Sequence, residues 1–339
     1  MEKQLIKLCE LNGVSGREDA VRQYIIDKIS GHAEITVDPL GNIIAHVKGK
    51  SRAVKKVMVD AHMDEVGLII TAIRSDGTLK FCTVGGIDVS VLMARRVIIN
   101  DSVCGVISSK PVHMLSDSEK DKMPDVDSLY IDIGVSDKES AEAVVSLGDV
   151  AAFLPETDVC GKLLVTKAID DRAGCAVLID LILSEPTYDF YATFSVLEEV
   201  GAGAKTAAFS VDPDFAVVLE ATTAADIRGV SADKTVCNVG EGAVLSFMDR
   251  GTLYDKQFLD FAQKAANENN IKYQIKRAVA GGNNAAGIHQ TRGGVKTLAI
   301  SVPCRYIHSP SCAASVEDVK AVRDLARVII ENAAAGNIK

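Results

Sequence analysis

The sequence predicts an α/β fold, a mixed and largely parallel sheet with helices on both faces, interrupted by a smaller β-rich module. Three observations carry this expectation. Apolar strand-like runs alternate with helical periodicity over the first sixty residues and again from Gly161 onward, the rhythm of strand–helix–strand units. Between roughly Val66 and Cys160 that rhythm gives way to short strands punctuated by turn dipeptides. At 339 residues, 47% hydrophobic and 24% charged, the chain has the length of about two domains and an ordinary globular composition. The division expected is an α/β unit of residues 1–65 and 161–339 holding an insertion of residues 66–160.

The elements follow in order. A first helix has apolar positions at Leu5, Ile6, Leu8 and Cys9, and Ser15 with Glu18 in "SGRE" has capping-box spacing for a second helix, Asp19 to about Ser30. "EITVDP", "GNIIAHV" and "KKVMVDAH" read as strands. In the insertion, "GLIITAIRSDGTLKFCTVGG", "RRVIINDSVCGVISS" and "SLYIDIGV" are short strands around "SDG" and "ND" turns, with one helix in "SDKESAEAVVSL", where Ser136 and Glu139 repeat the capping-box spacing. Beyond Gly161, "IDDRAGCAVLIDLILSE" is a helix, "YATFSVL" and "DFAVVLE" are strands, and "LYDKQFLDFAQKAANENN" is a helix. "VKTLAISVP" adds a strand, "SVEDVKAVRDLARVIIENA" closes the chain as a helix, and the trailing "AAAGNIK" is expected to fray.

Composition excludes several roles. A formal net charge of −9 argues against a nucleic-acid surface, which needs clustered Lys and Arg. No apolar run approaches the ~18 residues of a membrane span, and "MEKQLIKLCELNG" alternates charge with apolar residues, unlike a signal peptide. A cytoplasmic protein without a membrane partner is therefore expected. The eight cysteines stand singly with no Cys-x-x-Cys pair, which writes neither a zinc ribbon nor a thioredoxin motif; most should be buried thiols.

In open α/β sheets ligands sit outside the carboxyl ends of the strands, and here those ends carry ionisable side chains. "KVMV" is followed by His62 and Asp64, "TFSVL" by Glu198 and Glu199, "FAVVL" by Glu220, and "TLAISVP" by "CRYIHSP" with His308; "KAIDDRAG" adds Asp170 and Asp171 at a helix start. Taken singly, each has an ordinary explanation. Asp170 could be an N-cap, Glu198 and Glu199 first-turn acids, Glu220 a residue leaving the sheet, His308 a surface histidine, and Asp64 a hydrogen-bond partner for His62. Together they would crowd one rim with carboxylates that repel one another unless cations sit among them. The donors are oxygen and nitrogen without sulfur, which suits an open catalytic site for zinc, cobalt or manganese, and they suffice for two ions sharing a carboxylate. Of the other histidines, His32 and His46 read as structural or solvated, while His113 and His289 are candidates for a substrate or subunit contact.

"AHMDEVG", "AIDDRAGC", "LEEVGAGA", "LEATTAAD" and "RYIHSP", five motifs in order, together with "KPVHML" and "LYIDIGV", resemble the dinuclear-zinc aminopeptidases of the tetrahedral type. That family includes glutamyl and deblocking aminopeptidases and proteins once labelled endoglucanase M. The resemblance implies a β-barrel for the insertion and two divalent ions per subunit, with zinc first and cobalt or manganese as alternatives. It implies that Asp170 bridges them, that His62 and Glu220 complete one site and Glu199 and His308 the other, that Glu198 is the general base, and that Asp64 orients His62. It further implies peptide substrates, cleavage at the N-terminus, and dimers that build a tetrahedral dodecamer. Two departures stand out: Glu220 stands where many relatives carry aspartate, and "GGNNAAG" places Asn283 and Asn284 where a Gly-Gly-Thr-Asp pattern is common.

Two other functions compete. A related metal-dependent amidohydrolase, a deacylase or carboxypeptidase, would use a similar rim. A non-catalytic ligand-binding protein could use "VGAGAKT", Val200 to Thr206, as a nucleotide loop, although Ala204 occupies the place before Lys205 where a P-loop has glycine. Glycoside hydrolysis fits less well, since it needs two carboxylates flanking the bond rather than a rim bearing histidine.

Overall fold

The computed structural model describes residues 1–201 and 203–338. Ala202, inside the Val200–Thr206 stretch, and Lys339, the last residue of the tail, lie outside the described residues. The expected α/β fold is present, with an 11-stranded mixed sheet among the described residues and a separate closed barrel. In chain order the sheet takes β1 (Ala33–Val37), β2 (Ile43–Val47) and β3 (Val57–His62) before the barrel strands. Those are β4 (Gly67–Ile73), β5 (Leu79–Val84), β6 (Arg96–Ile99), β7 (Val103–Ser108), β8 (Tyr130–Asp132) and β9 (Val150–Phe153). The sheet then resumes with β10 (Asp158–Cys160), β11 (Leu163–Thr166), β12 (Phe190–Ser195), β13 (Phe215–Thr223), β14 (Ala243–Leu245), β15 (Tyr273–Ile275), β16 (Lys296–Arg305) and β17 (Cys312–Ser315).

Parallel pairing is concentrated at the centre of the sheet. β12, β3, β13 and β16 run parallel side by side, while β1 and β2 on one flank and β17, β11 and β10 on the other pair antiparallel. The central strands are buried on both faces, and alternate side chains separate into two layers. Val57, Val59 and Ala61 of β3 and Phe215, Val217 and Leu219 of β13 join the main core beneath the helices Glu2–Glu10, Asp19–Ile29, Ile169–Leu183, Lys256–Glu268 and Val316–Ala334. Met58, Ala216, Val218 and Ala299 face the other way, against the short helices Ala204–Val211 and Ala285–Ile288. On that second face the strands turn polar toward their carboxyl ends, with Asp60 and His62 on β3, Thr193 and Ser195 on β12, Glu220 on β13 and Ser301 on β16 all buried.

The insertion closes as β4-β5-β8-β7-β6-β9 around its own core of Leu68, Ile70, Phe81, Val97, Ile107, Ile131 and Phe153, which is the barrel the resemblance implies. Several local expectations are corrected. Neither capping box forms: Ser15 donates to Asp64 at 2.6 Å and Glu18 accepts from Gly16, while the helix near Ser136 is capped by Asp137, which accepts from the amide of Ser140 at 2.9 Å. In the first case Asp64 draws the serine away and leaves the helix without a side-chain cap; in the second Asp137 takes the cap itself. The tail is not frayed at Ile338, which is 6% exposed and packs into the main core. All eight cysteines are free thiols; five are buried and Cys82, Cys104 and Cys160 are exposed. No helix of the described residues is long and apolar enough to cross a membrane.

Candidate metal centre

The predicted side chains arrive from five separate segments of the chain. His62 ends β3, Asp64 follows two residues later, and Asp170 opens the helix after β11. Glu198 and Glu199 form a single 3₁₀ turn after β12, and His308 lies in the loop between β16 and β17. Glu220 does not leave the sheet as its sequence context suggested, because β13 continues for three residues beyond it. Its side chain belongs to the polar face of the sheet, which is why it reaches the same point as His62 on the neighbouring strand.

Asp170 stands at the middle of the group. Its Oδ1 is 3.4 Å from Nε2 of His62, and its Oδ2 is 3.2 Å from Nε2 of His308. On one side, His62 Nε2 is 3.3 Å from Oε1 of Glu220; on the other, His308 Nε2 is 3.3 Å from Oε2 of Glu199. Two lobes thus share one carboxylate. His62 Nε2, Asp170 Oδ1, Glu199 Oε1 and Glu220 Oε2 are all buried without a hydrogen-bond partner among the described residues, a costly arrangement for four polar atoms in a group this small. Donors held tetrahedrally at the usual ~2.0–2.1 Å from a zinc ion stand about 3.3 Å apart, which is the spacing on both sides of Asp170. A divalent cation in each lobe fits the donor chemistry and the geometry.

The imidazoles are oriented from behind. His62 Nδ1 faces the backbone carbonyl of Asp64 at 3.1 Å and its Oδ1 at 3.3 Å; His308 Nδ1 donates to the carbonyl of Gly86 at 2.8 Å. With Nδ1 as the donor, each ring points its Nε2 lone pair into the cluster. Gly86 comes from the barrel, just past β5, so the insertion fixes one of the two rings. Asp64, fully buried, also accepts from the amides of Glu198 and Glu199 at 3.0 and 3.1 Å and from Ser15. It therefore holds the 3₁₀ turn as well as the imidazole.

The helix-capping role that Asp170 might have filled falls to its neighbour. Asp171 accepts from the amide of Gly174 at 2.9 Å and from the amide of His62 at 3.3 Å, and a Cβ at Gly174 would collide with its carboxylate. Asp170 is thereby left free. Asp171 also lies near enough to His62 and Glu220 to share an ion with them, although its two amide donors already occupy it. Gly203, next to the turn, has a positive φ and passes against the carbonyl of Val196, where any Cβ would overlap. That packing accounts for a glycine in "VGAGAKT" without a nucleotide.

Burial and mutual charge set the electrostatics of the group. Burial pushes the Glu198 carboxyl up to about 7 and Glu199 up to about 8, with the Asp170 charge adding to both. Burial and Asp170 likewise raise Glu220 well above the carboxylate range. Burial opposes ionisation of Asp170 too, but the facing His308 and His62 outweigh it and hold the group well below its usual value. His308 rises to about 10 despite burial because of Asp170.

Some contributors were invisible in the sequence reading. Asp60 is wholly buried and accepts from Thr193 at 2.5 Å, Ser195 at 3.1 Å and Asn284 at 2.8 Å. Asn283 donates to Asp249 at 3.2 Å and to Tyr254 at 3.0 Å. Asn284 thus ties the Gly281–Asn283 segment to β3 and β12 of the sheet, and Asn283 ties it to the loop between β14 and the Lys256–Glu268 helix. A period-two polar pattern, Asp60 with His62 and Thr193 with Ser195, was the available signal. The other histidines stand apart: His32 and His113 are exposed, His46 stacks on Tyr191, and His289 bonds the carbonyl of Ala285.

Comparison with known proteins matches residues 41–325 to the family described as M42 glutamyl aminopeptidase. A lysyl aminopeptidase of Pyrococcus furiosus is 32% identical over 337 residues, 96% of this chain and 95% of its own length. Among solved structures, an aminopeptidase of the archaeon Desulfurococcus kamchatkensis superposes with a TM-score of 0.94 at 32% identity, covering 99% of this chain and 96% of that one. The TET1 peptidase of Pyrococcus horikoshii, described as assembling into a tetrahedron or a large octahedral shell, superposes with a TM-score of 0.86 at 31% identity over 97% of this chain and 98% of its own.

Proposed function

The chain is a peptidase of the M42 glutamyl aminopeptidase family, and from that premise we propose that it removes N-terminal residues from peptides with two divalent cations and Glu198 as general base. The observation that carries the reading is Asp170, whose two oxygens face His62 and His308 from opposite sides at 3.4 and 3.2 Å. His62, Asp170 and Glu220 would hold one cation, and Asp170, Glu199 and His308 the other; zinc suits the donors best, with cobalt or manganese as alternatives. Bound there, such ions supply Lewis acidity, which activates a water and polarises a carbonyl.

The remaining chemistry belongs to the chain. The cluster opens into a cavity of about 550 Å³; Glu198 lines it, and its Oε2 stays 4.0 Å from His62 Nε2, outside the spacing of the four close donor pairs. It is the carboxylate free to accept a proton from water in the cavity and return it to the departing amine. Asp64 fixes this division of labour by holding the amides of both glutamates, so that Glu199 turns toward His308 while Glu198 turns toward the cavity. Residues 1–65 and 161–339 form the catalytic unit in this reading, and residues 66–160 the inserted one, which lends Gly86. Dimers assembling to a tetrahedral dodecamer complete the proposal, supported by the assembly described for the TET1 peptidase; light scattering of purified protein checks it.

The decisive experiment is Glu198→Gln. Elemental analysis should still find two divalent ions per chain, while turnover of aminoacyl anilides falls by ~10²–10⁴-fold, the usual worth of a general base. Near-normal turnover would refute the assignment. Hydrolysis of N-acyl amino acids in preference to aminoacyl anilides would instead indicate a deacylase or carboxypeptidase.

A further inference from the structure

The backbone that carries Glu198 and Glu199 has already left the sheet, since β12 ends at Ser195. The amides of the next four residues are each held by a side chain from the N-terminal part of the chain. Val196 donates to Oδ1 of Asn42 at 2.9 Å, Leu197 to Oε1 of Glu18 at 3.3 Å, Glu198 to Oδ1 of Asp64 at 3.0 Å and Glu199 to Oδ2 of Asp64 at 3.1 Å. All three acceptors are buried. They do for this turn what a neighbouring strand does for β12.

Leu197 is the unusual residue of the four, with φ 62° and ψ 24°, a left-handed conformation that a side chain bearing Cβ disfavours. It directly precedes Glu198. Such a conformation persists only where the surroundings over-determine it, and the side chain that fixes the Leu197 amide is Glu18. Glu18 is itself anchored, because the amide of Gly16 donates to the same Oε1 at 2.7 Å. The link between the first two helices, from which it reaches, is stitched along the exit from β3. There the amide of Glu65 donates to the carbonyl of Gly13 at 2.9 Å, the amide of Ser15 to the carbonyl of Glu65 at 3.3 Å, and the Ser15 hydroxyl to Asp64 at 2.6 Å.

Glu18 does not line the cavity, and its bonds run to the backbone. Burial pushes its carboxyl above the usual range, against the pull of the Gly16 amide. The position therefore favours an oxygen acceptor rather than a charge. Asn42 is a less selective lever on the turn, because it also bonds Asp38, Gly203 and Thr206.

We propose that Glu18 is a positioning residue for the hydrolytic reaction: through the Leu197 amide it holds the left-handed residue that aims the Glu198 carboxylate into the cavity. The inference rests on the reading of Glu198 as general base and deepens it. A base displaced by a fraction of an ångström loses turnover while the substrate's binding surface stays intact.

The test uses the metal-loaded full chain and the best cleaved of a panel of aminoacyl 4-nitroanilides. Glu18→Ala should lower kcat by ~10–10²-fold with KM within roughly threefold of the parent, and elemental analysis should still find both ions. Glu18→Gln offers an amide oxygen at the same reach. It should restore kcat to within roughly threefold and leave the acid limb of kcat/KM where the parent has it, since the acceptor acts and not the charge. A purely structural role would lower the unfolding temperature of Glu18→Ala without changing kcat per folded, metal-loaded chain. Parent-like kcat in that variant, loss of an ion from it, no rescue by Glu18→Gln, or a displaced acid limb in Glu18→Gln each overturns the proposal. Should Glu18→Ala fail to fold, Glu18→Asp, whose arm is one methylene shorter, decides instead: lowered kcat that Glu18→Gln does not share supports the role, and parent-like kcat overturns it. Glu198→Gln assayed alongside separates the two readings, because near-normal turnover there removes the base itself, whereas an inactive Glu198→Gln beside a fully active Glu18→Ala removes the positioning role alone.

Discussion

Two groups of buried ionisable residues sit a few residues apart in this molecule, and they are built on opposite principles. Around Glu65, Lys167 donates at 2.6 and 2.7 Å, the amide of Gly13 donates at 2.9 Å, and Arg172 Nη2 lies 3.6 Å away. Lys167 also reaches Asn12 at 2.8 Å, and Arg172 spans to the carbonyls of Leu8 and Leu11 at 2.5 and 3.0 Å. Both oxygens of Glu65 are hydrogen-bonded across the junction of the first helix, β3 and the Ile169–Leu183 helix, with the Arg172 guanidinium beside them. Around Asp170, carboxylates and imidazole nitrogens face one another with their lone pairs unmatched. In the first group the carboxylate oxygens are satisfied within the protein and only donors, Nε and Nη2 of Arg172, lack a hydrogen-bond partner among the described residues; in the second the atoms without a partner are the potential ligands His62 Nε2, Asp170 Oδ1, Glu199 Oε1 and Glu220 Oε2. Burial by itself therefore says nothing of function here, while burial with unmatched acceptors does.

Identical chemistry applied to the two groups should have opposite effects. Glu220→Gln is expected to give the largest loss of function: the His62 lobe loses metal by elemental analysis and turnover falls by ~10³-fold or more, since a catalytic ion supplies several kcal/mol. Because the Glu220 carboxyl is raised well above its usual value by burial and Asp170, ionising it opposes folding at neutral pH. The metal-free variant should consequently unfold at a higher temperature than the metal-free parent. Glu65→Gln should do the reverse, costing about 3–5 kcal/mol in denaturant unfolding by stranding Lys167, while retaining both ions.

Smaller effects sharpen the contrast. A base must be ionised to act, and burial holds Glu198 up to about 7. Activity should then decline as pH falls through the neutral range, with the acid limb of kcat/KM at or below about 7 because bound cations favour the carboxylate. Removing that carboxylate, as in Glu198→Gln, should abolish the limb in whatever activity remains. Smallest of all, Asn284→Ala leaves Asp60 and Ser195 each short of a donor and should cost about 1–3 kcal/mol in unfolding. Its KM should rise more than its kcat falls, since the wall that Asn284 clamps lines the cavity rather than touching the cluster. Loss of metal from this variant would break the separation drawn between clamp and cluster.

Much of the cluster was legible because a parallel sheet collects the carboxyl ends of its strands at one edge, and His62, Glu198, Glu199 and His308 follow apolar runs. Glu220 was found for a partly mistaken reason, since it lies within β13 and belongs to the sheet's polar face. The serine caps were misread because spacing reports what a side chain can reach along the helix and not which distant carboxylate competes for it, as Asp64 does for Ser15. Lys276 and Arg250, which line the cavity, gave no signal at all: nothing in "QIKRAV" or "FMDRGT" distinguishes a cavity wall from an ordinary surface.

The sequence by itself determined the alternation that makes an α/β sheet, the break in texture that marks the insertion, and the inventory of oxygen and nitrogen donors at the strand ends, for these depend on local periodicity and residue type. Tertiary structure alone decided that Asp171 caps the helix so that Asp170 can face two histidines, that a barrel carbonyl orients His308, and that Asp64 holds the amides of both Glu198 and Glu199. Hydrogen bonds between residues dozens to hundreds of positions apart set those choices. Which of several possible partners a carboxylate takes depends on distances that exist only once the chain has closed on itself.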